Sequence, residues 1–216
     1  LIRGTWGRGE KVLATGPTGS GKTELMKYAS RSLFGLDPEI VSGHELLTMY
    51  EVYGKMGGGI KDGVATIIFK AGAAVRALQR NVPLIIDEIN LIPNKVLMRM
   101  KADFNVRVGN RVTVQEDSDR ELIVPDRYSL GATENVKSEK HPDRERLDPS
   151  VVRVFEPLPV DYMPVNELYD AMVASMMDFK GGLKISPNDA REVLQELCLA
   201  AEWIQSAYQG ETVYIN

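Results

Sequence analysis

The chain has 216 residues, close to the ~100–200 residues of one domain, so it holds one domain or one domain with a small appendage. Hydrophobic residues make up 44% and charged residues 26%, an ordinary globular composition, and the single cysteine, Cys198, excludes a disulfide framework and any multi-cysteine zinc site. Lys plus Arg number 26 against 30 Asp plus Glu, a net charge of −4, which does not favour a dedicated phosphate-backbone binder; no apolar run approaches the ~20 residues of a membrane helix.

Glycines, prolines and polar clusters divide the chain into short apolar runs and longer helical patterns. Val12-Leu13-Ala14 reads as a buried strand between Gly9 and Gly16. A helix follows from about Lys22 to Leu33, with Leu25, Tyr28, Ala29 and Leu33 on one face, and Gly35 stops it. Ile40-Val41 is a second short strand. Residues 55–63 hold several glycines and no periodicity, and read as a loop or insertion; 65–69 reads as a short strand. A short helix covers about Ala71 to Gln79. Leu84-Ile85-Ile86 is a continuous apolar run of the kind found in a central parallel strand, and 94–105 is helical with Leu97, Met100 and Phe104 in register. Residues 111–114 and 121–124, separated by Asp117-Ser118-Asp119, carry a hairpin signal. Tyr128 to Thr133 is another buried strand, 137–148 a charged exposed loop, and 151–160 a further apolar segment. Two helices close the chain, at 165–179 and 187–207, the second with Ser186 as N-cap and Pro187 at its first position. They predict a helical subdomain over 163–216 after an α/β core over 1–162.

Strand–helix alternation implies a parallel sheet with helices on both faces, and such sheets bind ligands beyond the carboxyl ends of their strands. The strongest motif lies there. Gly16-Pro17-Thr18-Gly19-Ser20-Gly21-Lys22-Thr23 satisfies GxxxxGK[ST] at every fixed position, after a strand and opening a helix. The glycines allow a tight turn whose N–H groups converge on a phosphate, and the helix N-terminus adds partial positive charge. Lys22 is placed to reach the β- and γ-phosphates and the Thr23 hydroxyl to ligate Mg²⁺. Asp87-Glu88 ends the apolar run at 84–86, so a strand delivers both carboxylates near that loop. Adjacent carboxylates at a buried strand end are costly without a cation. Asp87 is assigned to Mg²⁺ through water and Glu88 to polarising the attacking water.

These residues, with Val41 to Leu47, Phe69 to Leu78 and Ile86-Asp87-Glu88-Ile89-Asn90, resemble an AAA+ ATPase of the MoxR and dynein-related (midasin-like) branch, which carries an insert in its second helix. The resemblance covers nearly the whole chain. It implies a P-loop three-layer sandwich followed by a small, truncated helical lid, with the insert spanning residues 54–69 and the 111–124 hairpin preceding the sensor strand. It implies ATP and Mg²⁺ as substrate and cofactor, a homo-oligomeric ring, expected to be a hexamer, and a cytoplasmic location. Asn135, after Gly131-Ala132-Thr133, matches the sensor asparagine. The family's arginine finger aligns with Leu147 to Phe155, but Val154 stands where the arginine belongs; Arg153 falls one residue early, about 100° away on a helix. Arg146 and Arg144 are the alternatives. The second sensor arginine belongs to a helix after the last one here, so a unit cut at both ends is expected, consistent with a start at Leu1.

Three functional readings stay open at this point. The first is a MoxR-like chaperone ATPase remodelling a protein partner, with a von Willebrand-like partner implied by the resemblance. The second is a GTP-using nucleic-acid motor of the restriction type. The third is a nucleotide-holding assembly module with little hydrolysis, which the displaced arginine favours. His44 and His141 have no metal-ligand partner in sequence, and Cys198 and Met172, Met176 and Met177 read as packing residues.

Overall fold

Five short apolar segments pair into one parallel sheet, and their alternation puts a hydrophobic layer on each face. The computed structural model describes residues 2–135, 147–175, 177, 182 and 187–209. The first elements are α1 (Ile2–Gly7), β1 (Val12–Gly16), α2 (Lys22–Phe34), β2 (Glu39–Ser42) and α3 (Met49–Val52). β3 (Gly54–Lys61), β4 (Val64–Ala71), α4 (Ala73–Arg80), β5 (Leu84–Asp87) and α5 (Asn94–Phe104) follow. Then come β6 (Arg111–Val114), β7 (Arg120–Ile123), β8 (Leu130–Asn135), α6 (Pro149–Val152) and β9 (Glu156–Pro159). Last are α7 (Val165–Ser175) and α8 (Pro187–Gln209).

The sheet order is β2-β5-β8-β1-β9, all parallel. Successive strand residues face opposite sides. Leu13, Leu84, Ile86, Leu130 and Ala132 join a core with α4 and α5 residues such as Val75, Leu97, Met100 and Phe104. Val12, Ala14 and Ile85 face the other way, against Ile2 and Trp6 of α1 and Met26 and Ala29 of α2. The result is the three-layer α/β sandwich expected from the alternation. Trp6, 3% exposed, stacks on Phe34 and donates its indole N–H to the Leu130 carbonyl at 3.1 Å. It is a packing residue.

Two readings in the first 160 residues need correction. Residues 55–63 are not a loop: most of them form β3, paired residue for residue with β4 from Gly54↔Ala71 to Lys61↔Val64. The ribbon leaves the chain after α3 and returns before α4, where the Gly72 N–H donates to the Tyr53 carbonyl at 2.9 Å. It thus interrupts a helical stretch, as the expected insert would. On α2 the buried stripe is Lys22, Met26, Ala29 and Ser30; Leu25 and Tyr28 are exposed. Met26 rather than Leu25 meets the sheet, so the buried face is one residue round from the stripe read in the sequence.

The second hairpin, β6–β7, turns through Ser118 and Asp119, both at positive φ. The chain divides into two compact units, Leu1–Val160 and Asp161–Asn216. In the second, α7 packs on α8; Leu194 and Cys198 are buried, and the Cys198 Sγ lies 3.8 Å from the Met172 Sδ. Val193 and Leu197, read as part of the apolar stripe, are about half exposed. Ser186, Met176, His141 and the charged stretch 136–146 lie outside the described residues.

Candidate functional site

The carboxyl ends of β1, β5 and β8 meet at one edge of the sheet, and each delivers a residue named from the sequence. β1 ends at Gly16 and leads into the phosphate loop. Gly19 (φ 84°) and Gly21 (φ 81°) take the left-handed conformation that glycine adopts without steric cost, and α2 begins at Lys22. The Lys22 side chain folds back along the loop. Its ammonium donates to the Gly16 carbonyl at 3.1 Å and the Pro17 carbonyl at 2.6 Å. The Ser20 hydroxyl donates to the same Pro17 carbonyl at 3.0 Å.

The register of the sheet brings the acidic pair to this loop. Gly16 pairs with Asn135 across β1–β8, and Ile86 pairs with Ala132 across β5–β8. Thr23 donates its hydroxyl proton to Asp87 Oδ1 at 2.5 Å. Asn135 donates its side-chain amide to Glu88 Oε1 at 2.5 Å. A third residue joins them: the Thr133 hydroxyl donates to Asp87 Oδ1 at 2.6 Å and accepts the Glu88 backbone N–H at 2.9 Å. Thr133 entered the sequence reading as the end of a buried strand and as context for Asn135. Its alternation along β8 was the available signal, because Thr133 and Asn135, two residues apart, project to the same face. Glu88 has φ 51° and ψ 51°, a left-handed backbone that non-glycine residues rarely hold, and such strain clusters at functional sites.

These groups surround a cleft of about 290 Å³ lined by Thr18, Gly19, Gly21, Lys22, Thr23 and Glu24 on one side and Asp87, Glu88, Thr133 and Asn135 on the other. Its polar contents differ in kind: backbone donors and an ammonium at the loop, carboxylates across from it. The donor set suits a hard divalent cation held by few protein atoms. Asp87 Oδ1 is occupied by two hydroxyls, whereas Oδ2 has no hydrogen-bond partner among the described residues. Mg²⁺ characteristically takes one or two protein oxygens, with water and substrate phosphates completing its shell. No cluster of three or more His, Cys, Asp or Glu with metal-holding geometry exists among the described residues.

Burial raises the carboxyl of Glu134 above the usual range; it sits between Thr133 and Asn135 on β8 and points to the other face of the strand.

Arg153 is not brought to this cleft within the same chain. It caps the C-terminal end of α6, and its side chain is exposed, while Val154 packs against the core. The one-residue offset therefore turns the apolar residue inward and the arginine outward. Arg153 lines a different, larger cleft of about 700 Å³ at the amino ends of the strands, together with Lys11 and Arg107. Burial, and then the nearby charge of Arg107, lowers the pKa of Lys11 there. Arg144 and Arg146 lie outside the described residues. The smaller cleft is the candidate site, because parallel sheets bind ligands at strand carboxyl ends and the phosphate loop opens there.

Comparison with known proteins agrees with this geometry. The profile of the AAA domain (dynein-related subfamily) matches residues 11–155. The chain is 28% identical over 174 residues to midasin from Dictyostelium discoideum, covering 76% of this chain and 3% of that protein. It is 30% identical over 119 residues to midasin from Giardia intestinalis, covering 55% of this chain and 2% of that one. The chain thus spans a small fraction of these relatives. Among solved structures, a protein from Cytophaga hutchinsonii superposes with a TM-score of 0.61 at 18% identity, over 91% of this chain and 56% of its own. NtrX from Brucella abortus, solved in complex with ADP, superposes with a TM-score of 0.53 at 14% identity, over 94% and 47%. At those identities the two superpositions speak for the fold. The family match covers most of the core and includes the phosphate loop, the acidic pair and the strand that ends in Asn135: the chain belongs to the dynein-related subfamily of AAA domains.

Proposed function

We propose that the chain binds ATP with Mg²⁺ in the cleft between the phosphate loop and the Asp87-Glu88 pair, and hydrolyses it. The observation that carries this reading is the convergence of three strand ends, with Thr23 on Asp87 and Asn135 on Glu88, each at 2.5 Å. The loop N–H groups and Lys22 hold the β- and γ-phosphates. Thr23 and Asp87 hold the metal, Asp87 through water. Mg²⁺ bound there neutralises charge on the phosphoryl oxygens. Glu88 accepts the proton of the attacking water, and Asn135 keeps the Glu88 carboxylate aimed while its amide lies beside the γ-phosphate.

Arg153 faces outward at the amino ends of the strands. We assign it to a neighbouring subunit's nucleotide in a homo-oligomeric ring, with a hexamer as the expected size. The unit from 161 onward is read as the helical lid predicted from Met163. Coupling of hydrolysis to remodelling of a protein partner, one with a von Willebrand-like domain included, is the output that fits a MoxR-like, midasin-like chain. A cytoplasmic location goes with that reading. Separately, no helix among the described residues is long and apolar enough to cross a membrane.

One observation favours a second reading. Val154 occupies the finger position and packs inward, so a nucleotide-holding assembly module with slow turnover is the rival. Turnover per subunit, measured as concentration rises through assembly, separates the two. A rise supports the ring ATPase, and a flat profile near zero supports the module. The same assay with GTP in place of ATP tests the base preference.

A further inference from the structure

We infer that Thr133 is a positioning residue for the acidic pair: its buried hydroxyl sets Asp87 and Glu88 in the arrangement that Mg²⁺-dependent nucleotide binding requires. The inference rests on the ATPase reading above and concerns a residue outside both the phosphate loop and the acidic pair.

Thr133 is 1% exposed, in the middle of the sheet. A hydroxyl carries one proton and two lone pairs. The Glu88 backbone N–H, 2.9 Å away, can only donate, so it consumes a lone pair of Thr133. The hydroxyl proton is then directed to Asp87 Oδ1 at 2.6 Å. A backbone amide cannot reverse its role, so the polarity of this bridge is fixed. Asp87 Oδ1 must act as acceptor. It receives a second hydroxyl proton from Thr23, at 2.5 Å. Two donors on one oxygen fix the carboxylate's rotation and leave Oδ2, which has no partner among the described residues, as its remaining acceptor. The Thr23 proton is committed to Asp87 as well, so the Thr23 lone pairs are the part of that hydroxyl left for a cation.

The other end of the bridge acts on Glu88. This residue sits in the left-handed region, where an L side chain is held only by its surroundings. Its N–H is held by Thr133 and its carboxylate by Asn135. Among the described residues, Thr133 is the one side chain hydrogen-bonded to both Asp87 and Glu88. Groups that orient metal-holding side chains in this way typically matter by about 10–100-fold in metal affinity or activity.

Thr133→Val keeps the β-branched shape and removes the hydroxyl; Thr133→Ser keeps the hydroxyl. The test titrates Mg²⁺ into the chain with a fluorescent ATP analogue and follows the bound fraction. For Thr133→Val the Mg²⁺ concentration at half-saturation should rise by about 10–100-fold, with nucleotide affinity in EDTA unchanged. Thr133→Ser should restore the wild-type midpoint. At saturating Mg²⁺ the valine variant should lose kcat with little change in KM. Should the valine variant not fold, Thr133→Cys, with its weak donor in the same place, is expected at an intermediate midpoint. A wild-type midpoint in the valine or cysteine variant overturns the inference, as does a serine variant no better than valine. Wild-type chain that binds no nucleotide at any Mg²⁺ concentration overturns the ATPase reading and this one with it. Normal wild-type binding with an unshifted Thr133→Val variant overturns this one alone.

Discussion

The Asn135 side-chain amide donates a 2.5 Å hydrogen bond to Glu88 Oε1, tying the end of β8 to the residue that follows β5. The bond places a neutral donor, not a cation, on the carboxylate assigned as general base. Such a partner orients the carboxylate without taking its negative charge. Glu88→Gln keeps an acceptor oxygen for Asn135 but cannot take a proton. It should bind nucleotide as wild type does and lose turnover by ~10²–10⁴-fold. Asn135→Ala frees the carboxylate to rotate, and a fall in kcat of about 10–100-fold is expected. Asn135→Asp sets two carboxylates side by side and should be worse than alanine. Undiminished kcat in Glu88→Gln would remove Glu88 from the mechanism.

A second prediction concerns Gly43, just beyond the end of β2. Its N–H donates to the Asp87 carbonyl at 2.7 Å, and a Cβ built on it would lie 2.2 Å from the Glu88 carbonyl oxygen. The space is closed by backbone, not by a flexible side chain. Gly43→Ala must therefore push the Asp87-Glu88 segment away from β2. Overpacking of this kind costs about 1–3 kcal/mol, and at roughly 2–4 °C per kcal/mol for a chain of this size it should be visible as a lower Tm. Turnover should fall along with Tm, since the displaced backbone carries both carboxylates. An unchanged Tm with full activity would show that the segment yields freely.

Much of this site was legible because its parts are contiguous in sequence. The loop from Gly16 to Thr23 and the pair Asp87-Glu88 are local patterns with a local cause: a turn that presents N–H groups, and a strand that ends in charge. Gly43 was not legible, and alternation could place Thr133 only on the face of Asn135, because the partners of both lie across strands, in the register between β5 and its neighbours β2 and β8. β3 was misread for a different reason. Three consecutive glycines, Gly57 to Gly59, erase the alternation by which a strand is recognised. The ribbon stands on its cross-strand pairing with β4, whose Val64 and Ile67 are exposed rather than buried in a core. On α2, periodicity identified a helix but could not choose between neighbouring stripes; contact with Val12, Ala14 and Ile85 chose Met26.

Stability should depend on pH through Glu39, at the start of β2. Burial pushes its carboxyl up, but hydrogen bonds and charge from Arg76 and Arg80 outweigh this and hold it below the usual carboxylate range. The Arg76 Nε donates to Glu39 Oε2 at 2.9 Å, and Arg80 donates to Oε1. A carboxylate whose folded pKa is depressed contributes stability that is fully present above its unfolded pKa, about 4.3. That contribution is lost as pH falls through the lower, folded value. Wild-type Tm should therefore fall as pH drops from about 5 towards 3. Glu39→Gln should start lower at pH 7, because a nearly buried site then faces two guanidinium groups without a counter-charge. It should also show a shallower fall in acid. A wild-type slope in the Glu39→Gln protein would place the acid sensitivity elsewhere.

The last prediction bears on Arg153, which the fold turns away from the phosphate loop of its own chain. An arginine at the amino ends of the strands can reach a nucleotide only if that nucleotide belongs to another subunit. Removing it should therefore leave nucleotide binding by the isolated chain intact and affect turnover only under conditions of assembly. An arginine supplied in trans is worth ~10³–10⁵ in rate, so Arg153→Ala should abolish the concentration-dependent part of turnover while leaving the dilute basal rate unchanged. Because Val154 packs against the core, restoring the family pattern with Val154→Arg is not expected to help: it exchanges a packed apolar side chain for a charge and should lower Tm. Mixing Arg153→Ala with Glu88→Gln chains gives the sharpest comparison. Each is inactive alone in an assembly, but where an Arg153→Ala subunit's site faces a Glu88→Gln neighbour, an intact base meets an intact arginine. Recovered turnover in the mixture would place Arg153 in trans, and none would assign it to the surface of its own subunit.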